Sequence, residues 1–222
     1  MFLRRITTLN AAISALFALL LVPAPVLADD EQPPAAAPLK EVKLAESAFS
    51  RAPTPSWVEP IDLPPGNGKL PIVNRLVDVQ YKVAEGRTAY FRQAIEVNDT
   101  SSLTSVGQIS IPFVPQYQRL NLHGVLVRRG NEVIDQTASS SVRFLQRETG
   151  LEQGVYSDVT TASILVSDLR VGDTLETSYS IDGDNPVFGK HYFDYSSWDK
   201  ADLTIRRRVL LKHRIARSTG GS

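Results

Sequence analysis

From Asn74 onward apolar and polar residues alternate with a period of two, and this restricts the chain to β-structure more than any other feature does. Val77, Val79, Tyr81 and Val83 interleave with Leu76, Asp78, Gln80 and Lys82; past Glu85-Gly86, residues Ala89, Phe91, Gln93, Ile95 and Val97 interleave with Tyr90, Arg92, Ala94 and Glu96. Successive side chains on a strand face opposite ways, so the pattern predicts two half-buried strands joined by a glycine turn. A second hairpin, Leu120 to Arg128 and Glu132 to Thr137, flanks Gly130-Asn131, a pair that tolerates the positive φ of a tight turn. Within it the apolar phase moves from Leu120 and Leu122 to Val125 and Val127, and a bulge at His123-Gly124 is expected to absorb the slip. Further strands are expected at Val142 to Arg147, Thr160 to Val166, Thr174 to Ile181 and Leu203 to Leu211. No helical period supplies the crossovers that a parallel sheet needs. The expected fold is therefore all-β, an antiparallel β-sandwich.

The remaining segments read differently. Residues 1–28 have the form of a secretory signal: basic Arg4 and Arg5, an apolar run from Ala11 to Val22, and Val26-Leu27-Ala28 before a cleavage expected ahead of Asp29. The apolar run is about a dozen residues, short of the roughly 20 of a membrane-spanning helix, so membrane contact is expected only in passing. A periplasmic or secreted location follows. Residues 29–73 are punctuated by Pro33, Pro34, Pro38, Pro53, Pro55, Pro60, Pro64, Pro65 and Pro71 and read as an extended, partly disordered leader. A short helix is expected at Lys40 to Phe49, and Trp57 is expected to anchor the leader on the domain. The sandwich is assigned to residues 74–213 and a frayed tail to residues 214–222.

Composition closes off chemistry. The chain has no cysteine, which excludes a thiol nucleophile, a disulfide, a thiolate zinc site and an iron–sulfur cluster. With 24 basic and 24 acidic residues it lacks the positive field of a nucleic-acid binder, and the two arginines lost with the signal leave the mature chain at −2. His123, His191 and His213 have no ligand spacing, and no Gly-x-Ser-x-Gly elbow or phosphate loop is present. No catalytic residue, metal or cofactor is assigned. The scattered acidic residues leave a glycosidase-like pair open without selecting one.

A set of ordered motifs narrows the reading. These are Phe113-Val114-Pro115-Gln116-Tyr117-Gln118-Arg119-Leu120, the strand Leu122 to Arg128 with its Gly130 turn, Val142 to Thr149, Leu151-Glu152-Gln153-Gly154-Val155-Tyr156, Leu169 to Asp173, Ser178 to Ile181 and Asn185 to Phe188. Together, over roughly Leu76 to Leu211, they resemble bacterial domain-of-unknown-function family 3857, the exported β-domain usually found ahead of a transglutaminase-like domain. The resemblance implies a β-sandwich comparable to the N-terminal β-domain of the M1 aminopeptidases, with no assigned activity. It also implies a partner, either a transglutaminase-like domain or another envelope protein. Without cysteine the chain cannot itself hold a Cys-His-Asp set, so the resemblance implies the accessory domain without its usual enzyme.

Candidate contact residues each have a plainer reading. Tyr117 and Arg119 lie in a rigid, aromatic segment suited either to an interface or to bracing a loop. Arg147 and Glu148, before Thr149-Gly150, form either a recognition pair or, preferably, an ion pair fixing the turn. Tyr192, Tyr195 and Trp198 could stack on a sugar ring as a glycan-binding surface of the cell envelope, or pack in the core. In Val171-Gly172-Asp173 the glycine permits a turn and the aspartate can accept backbone N–H groups. Asp182-Gly183-Asp184-Asn185 reads as a turn, because Pro186-Val187-Phe188 replaces the continuation of a calcium loop.

Overall fold

A computed structural model describes residues 39–66, 68–84, 86–147, 158–189 and 205–211, the last as backbone alone. In chain order the strands are β1 (Leu39–Glu41), β2 (Phe49–Arg51), β3 (Ile72–Val83), β4 (Arg87–Val97), β5 (Gln108–Phe113), β6 (Arg119–Arg129), β7 (Glu132–Asp135), β8 (Val142–Arg147), β9 (Thr160–Leu165), β10 (Thr174–Asp182) and β11 (Ile205–Leu211). A single turn of helix, α1 (Leu103–Val106), separates β4 from β5.

The strands form two sheets. One has the order β1-β8-β9-β5; the other runs β11-β3-β4-β10-β6-β2, with β7 also paired to β6. Facing residues from both sheets make one core: Ile111 and Phe113 of β5 and Ala162 and Ile164 of β9 lie with Leu120, Leu122, Val125 and Val127 of β6 and Leu175 of β10. Burying these side chains is the main stabilising term, at roughly 25 cal/mol per Å² of apolar surface removed from water.

The bulge falls where the apolar phase changes. Opposite β10, Leu122 pairs with Tyr179 and Gly124 with Ser178, so His123 is the extra residue. Leu120, Leu122, Val125 and Val127 thereby all reach one face, each 0% exposed. Most pairings are antiparallel as expected, but β2 runs parallel to β6 and β11 parallel to β3. Both parallel strands sit at sheet edges and are joined to their partners through long intervening chain, which satisfies the crossover requirement without a helix.

The largest departure concerns the leader. Residues 39–66 do not precede the domain; they are part of it, so the boundary expected at residue 74 cuts through the sandwich. β1 pairs with β8 and β2 with β6, one strand in each sheet. Phe49 packs edge-on against Phe144, centroids 5.3 Å apart, and Phe144 meets Phe113 at 6.3 Å. The expected helix at Lys40 to Phe49 is reduced to one 3-10 turn, Glu46–Ala48, because neighbouring strands offer the flanking residues a ladder that an isolated short helix lacks. From β2 the chain crosses the outer face of the larger sheet to reach β3. The signal at residues 1–28, the first part of the leader and the tail at residues 214–222 lie outside the described residues.

Candidate functional site

The larger sheet has two unlike faces. Toward the smaller sheet, β3, β4 and β10 present Val77, Val79, Phe91, Ile95 and Tyr179, all only half-buried because the smaller sheet ends at β5. These residues and Ile109 of β5, together with the polar Asn74, Gln93, Gln108, Ser110 and Thr177, line a cleft of about 490 Å³. Phe91 and Tyr179 stack across neighbouring strands, centroids 5.0 Å apart at 22°. Burial in this apolar setting pushes the Tyr179 phenol up to about 12, so it stays a neutral hydroxyl at physiological pH.

The outer face is polar and yet more completely buried. Asp78 is 1% exposed, Gln80 0% and Glu176 6%, whereas the alternation alone would send these side chains to solvent. Residues 52–66 cover them, and the polar side chains meet that strap's main chain. Gln80 accepts the Glu59 N–H at 3.0 Å and donates to the Glu59 carbonyl at 2.8 Å. Arg92 donates to the Ile61 carbonyl at 2.7 Å, and Arg75 to that of Pro64. A buried polar group without a partner is costly, so each of these bonds is a condition of the strap's placement.

Two further networks sit on the same face. Glu176 accepts from Arg92 Nε and Arg128 Nε, each at 2.7 Å. Burial works to raise its carboxyl, but the hydrogen bonds and charges of the two arginines outweigh it and hold the group below its usual range. His123, the bulged residue, donates Nδ1–H to the Ala52 carbonyl at 2.9 Å, a tautomer fixed by the carbonyl's inability to donate. Its Nε2 then accepts from the Ser180 hydroxyl at 3.0 Å. Asn121 links Ser50 to Asp182, at 2.7 and 2.8 Å.

The His123 environment carries a pH dependence. Burial lowers its pKa below the usual imidazole value, against the opposing pull of the Ala52 carbonyl and the Asp182 charge. A base depressed in the folded state is protonated first in the unfolded chain, so its contribution is complete above about pH 6.5 and shrinks as pH falls through that value. Urea midpoints measured from pH 7.5 to 5 should therefore decline, and His123→Gln should flatten this part of the decline.

The sequence-selected residues divide three ways. Tyr117 is half-buried and Arg119 exposed, and the bonds that hold their loop come from Gln118 and the main chain. Gln118 Oε1 accepts the Val114 N–H at 2.7 Å, and Gly183 lies so close that a Cβ there would fall 2.0 Å from the Tyr117 carbonyl oxygen. Gly183 also has φ 111°, a second reason no other residue fits. Arg119 is exposed and opposes Asp182 in the β6–β10 ladder. Arg147 is placed only as the last residue of β8, opposite Leu39. Glu148, Tyr192, Tyr195 and Trp198 lie outside the described residues. The structure therefore brings no candidate recognition pair or aromatic platform together among the described residues.

The motif turns behave as read, and one adds a partner. Gly172 has φ 90°, and Asp173 Oδ2 accepts the Arg170 N–H at 2.9 Å. Arg129 also grips both Asp173 oxygens, at 3.0 and 2.8 Å, tying the end of β6 to the turn before β10. Asp184 Oδ2 accepts the Arg87 N–H, its Oδ1 lies 3.1 Å from Arg87 Nε, Asp182 accepts from Asn121 and Asn185 caps the 3-10 turn Pro186–Phe188, so this acidic run is engaged within the chain. Sequence reasoning missed Gln80, Arg92 and Glu176. Their only signal was a run of residues able to reach two acceptors or donors on one face of adjacent strands.

What the geometry defines is a two-sheet β-domain with an open cleft of mixed apolar and polar lining on one side of its larger sheet and a polar layer, strapped by its own chain, on the other. The chain belongs to the family described as Domain of Unknown Function with solved-structure structure (DUF3857), whose model matches residues 85–213. Two solved structures are similar in part. A presumed protease from Parabacteroides distasonis is 14% identical, with a TM-score of 0.46 over 51% of this chain and 23% of that one. A family IIIA CBD from Clostridium cellulolyticum is 17% identical, with a TM-score of 0.27 over 49% of this chain and 72% of that one. No curated protein matches the chain.

Proposed function

We propose that the domain is a non-catalytic accessory module of an exported protein, acting by contact with another domain or envelope protein. A transglutaminase-like domain is the partner that the family resemblance implies. The observation that supports this reading is the cleft of about 490 Å³, walled by half-buried Val77, Val79, Phe91, Ile95 and Tyr179. Apolar surface left part-covered in water favours a partner that completes its burial. Away from the cleft, the strongly held Glu176 and Asp173 are each engaged by arginine, which points away from acid–base work by these carboxylates.

Purified mature chain incubated with peptide, ester and glycan substrates should give no turnover above a denatured control. It should co-purify with a transglutaminase-like domain from the same genome, and Val79→Asp should weaken that association. Turnover abolished by one point substitution would contradict the proposal. So would saturable sedimentation with peptidoglycan that Trp198→Ala removes, which would favour a glycan-binding role.

A further inference from the structure

We propose that the cleft takes an extended segment of the partner polypeptide as an added strand, paired edge to edge with β5 and carrying apolar side chains at alternate positions. This rests on the reading of the cleft as a docking face and names the element that docks. Hydrogen bonding along β5 is the first support. Gly107 accepts the Val166 N–H at 2.8 Å, which fixes the phase of the antiparallel β5–β9 ladder. Opposed residues of such a ladder alternate between bonded and non-bonded pairs, so Ile109, Ile111 and Phe113 turn their main-chain groups to β9. Gln108, Ser110 and Pro112 turn theirs the other way, and there β5 is the edge of its sheet. The N–H groups of Gln108 and Ser110 and the carbonyls of Gln108, Ser110 and Pro112 thus have no strand partner among the described residues.

The composition of β5 is the second. Natural sheets block their edges against further pairing with charged residues, short strands, bulges or proline. Among the described strands, β1, β2, β7 and β11 all lie at edges or pair on one side only, and each carries at least one charged residue. β5 carries none, and it pairs with β9 without a register shift. Pro112 removes an edge donor only near the end of the strand. The edge from Gln108 to Ile111 is left fit to pair.

The place beside that edge is the cleft itself. Gln108, Ile109, Ser110 and Ile111 form one side of it, and Val77, Val79, Phe91 and Tyr179 of the larger sheet form the other. A strand set about 4.8 Å from β5 continues the smaller sheet over β4 and β3, at the roughly 10 Å separation of packed sheets. Its inward side chains then meet the half-buried residues of the larger sheet. The sandwich core continues into this space, since Ile111 and Leu175 belong both to the core and to the lining of the cleft. Charge agrees with an apolar occupant. Asp78, Arg92 and Glu176 of the neighbouring strands are engaged on the opposite face, so the cleft offers no counter-charge to a charged side chain. In strand addition the main chain supplies affinity and the alternate side chains supply selectivity.

The test uses the full mature chain and a fluorescent synthetic peptide in which valines alternate with threonines between terminal lysines, followed by anisotropy. Saturable binding is expected, weakened about tenfold or more by Val79→Asp. An added strand turns alternate amides toward β5. N-methylation of one alternate set of peptide amides should therefore cost about tenfold or more, while methylation of the other set should leave binding within about threefold. Ser110→Pro removes an edge N–H and spares the β9 ladder, so it should also weaken the probe about tenfold. If that variant does not fold, the two methylated peptides decide. Failure of the probe to bind, or equal binding of the methylated peptides, would overturn the added strand, while co-purification that Val79→Asp weakens would still uphold the cleft as a docking face. Co-purification indifferent to Val79→Asp would remove that reading and the added strand with it. A chain that sediments as a dimer dissociated by Ser110→Pro would put a second copy at the edge and overturn the proposal as well.

Discussion

Replacing Glu176 by alanine is expected to destabilise the domain by about 3 kcal/mol, seen as a lower urea midpoint at unchanged slope. The side chain is 7% exposed and sits between Arg92, 15% exposed, and Arg128, 32% exposed. Removing it leaves two guanidinium groups facing each other across the strand without the charge that joined them. Arg92 also holds the Ile61 carbonyl, so the strap is expected to loosen with the triad. Two comparisons separate the causes. Replacing Arg92, Glu176 and Arg128 together by Met, Leu and Met removes the charges as well as the bonds and should recover part of the loss, because an intact apolar cluster costs less than a broken ion network. On the acid side, the carboxyl is held below its usual value, so its stabilisation is present above about pH 4.3 and is lost as pH falls through the folded value. Glu176→Ala should therefore be less sensitive to that part of the acid limb.

Deleting Leu126 should be more damaging still and lower the urea midpoint sharply. A one-residue change of register turns every later side chain of a strand to the other face. Without Leu126, and with the bulge kept, Val127 would face the polar layer and Arg128 would turn toward the core. The chain would lose a fully buried valine and meet an arginine in its place, a mismatch of several kcal/mol against a typical total of about 5–15. Deleting His123 keeps the phase instead, because Leu122 and Gly124 already oppose the neighbouring Tyr179 and Ser178. That deletion and His123→Ala should each cost the bonds to Ala52 and Ser180, about 1–3 kcal/mol. Circular dichroism melts of the variants distinguish a residue that sets the strand's phase from a bulged residue held by its side chain.

The parts of this structure that sequence foresees are those set by periodicity. The β3–β4 and β6–β7 hairpins, β8 and β10 follow from alternation and turn residues, and the bulge follows from a one-residue change of phase at His123-Gly124. β5 lies outside the expected strands although Ile109, Ile111 and Phe113 alternate with Gln108, Ser110 and Pro112; its proline removes one ladder donor. An edge strand tolerates it, and β5 is the edge of its sheet. β1 and β2 are three residues each and have no period to read; the neighbours β8 and β6 determine them.

The candidate site was less legible, for a physical reason. Alternation reports which residues are polar and assumes that water meets them. Here the polar face is covered by a segment whose prolines signal an absence of regular structure, and the acceptors that satisfy Gln80, Arg92 and Arg75 are carbonyls, which every residue has. The apolar Trp57, Val58 and Ile61, all half-buried, do mark that this segment docks, but nothing in side-chain composition marks which carbonyls are held. Conversely, Val77 and Val79, read as core residues, are only half-buried because the smaller sheet stops short of β3.

The central claim is that the sheet's polar face holds residues 52–66 by their main chain, and amide hydrogen exchange of the mature chain tests it most directly. The Glu59 amide, bonded to Gln80, and the Ala52 amide, bonded to the Leu122 carbonyl, should be protected well above free-peptide rates. Gln80→Leu should release Glu59 while Ala52 keeps its protection. Exchange of both amides at free-peptide rates in the unaltered chain would contradict the account.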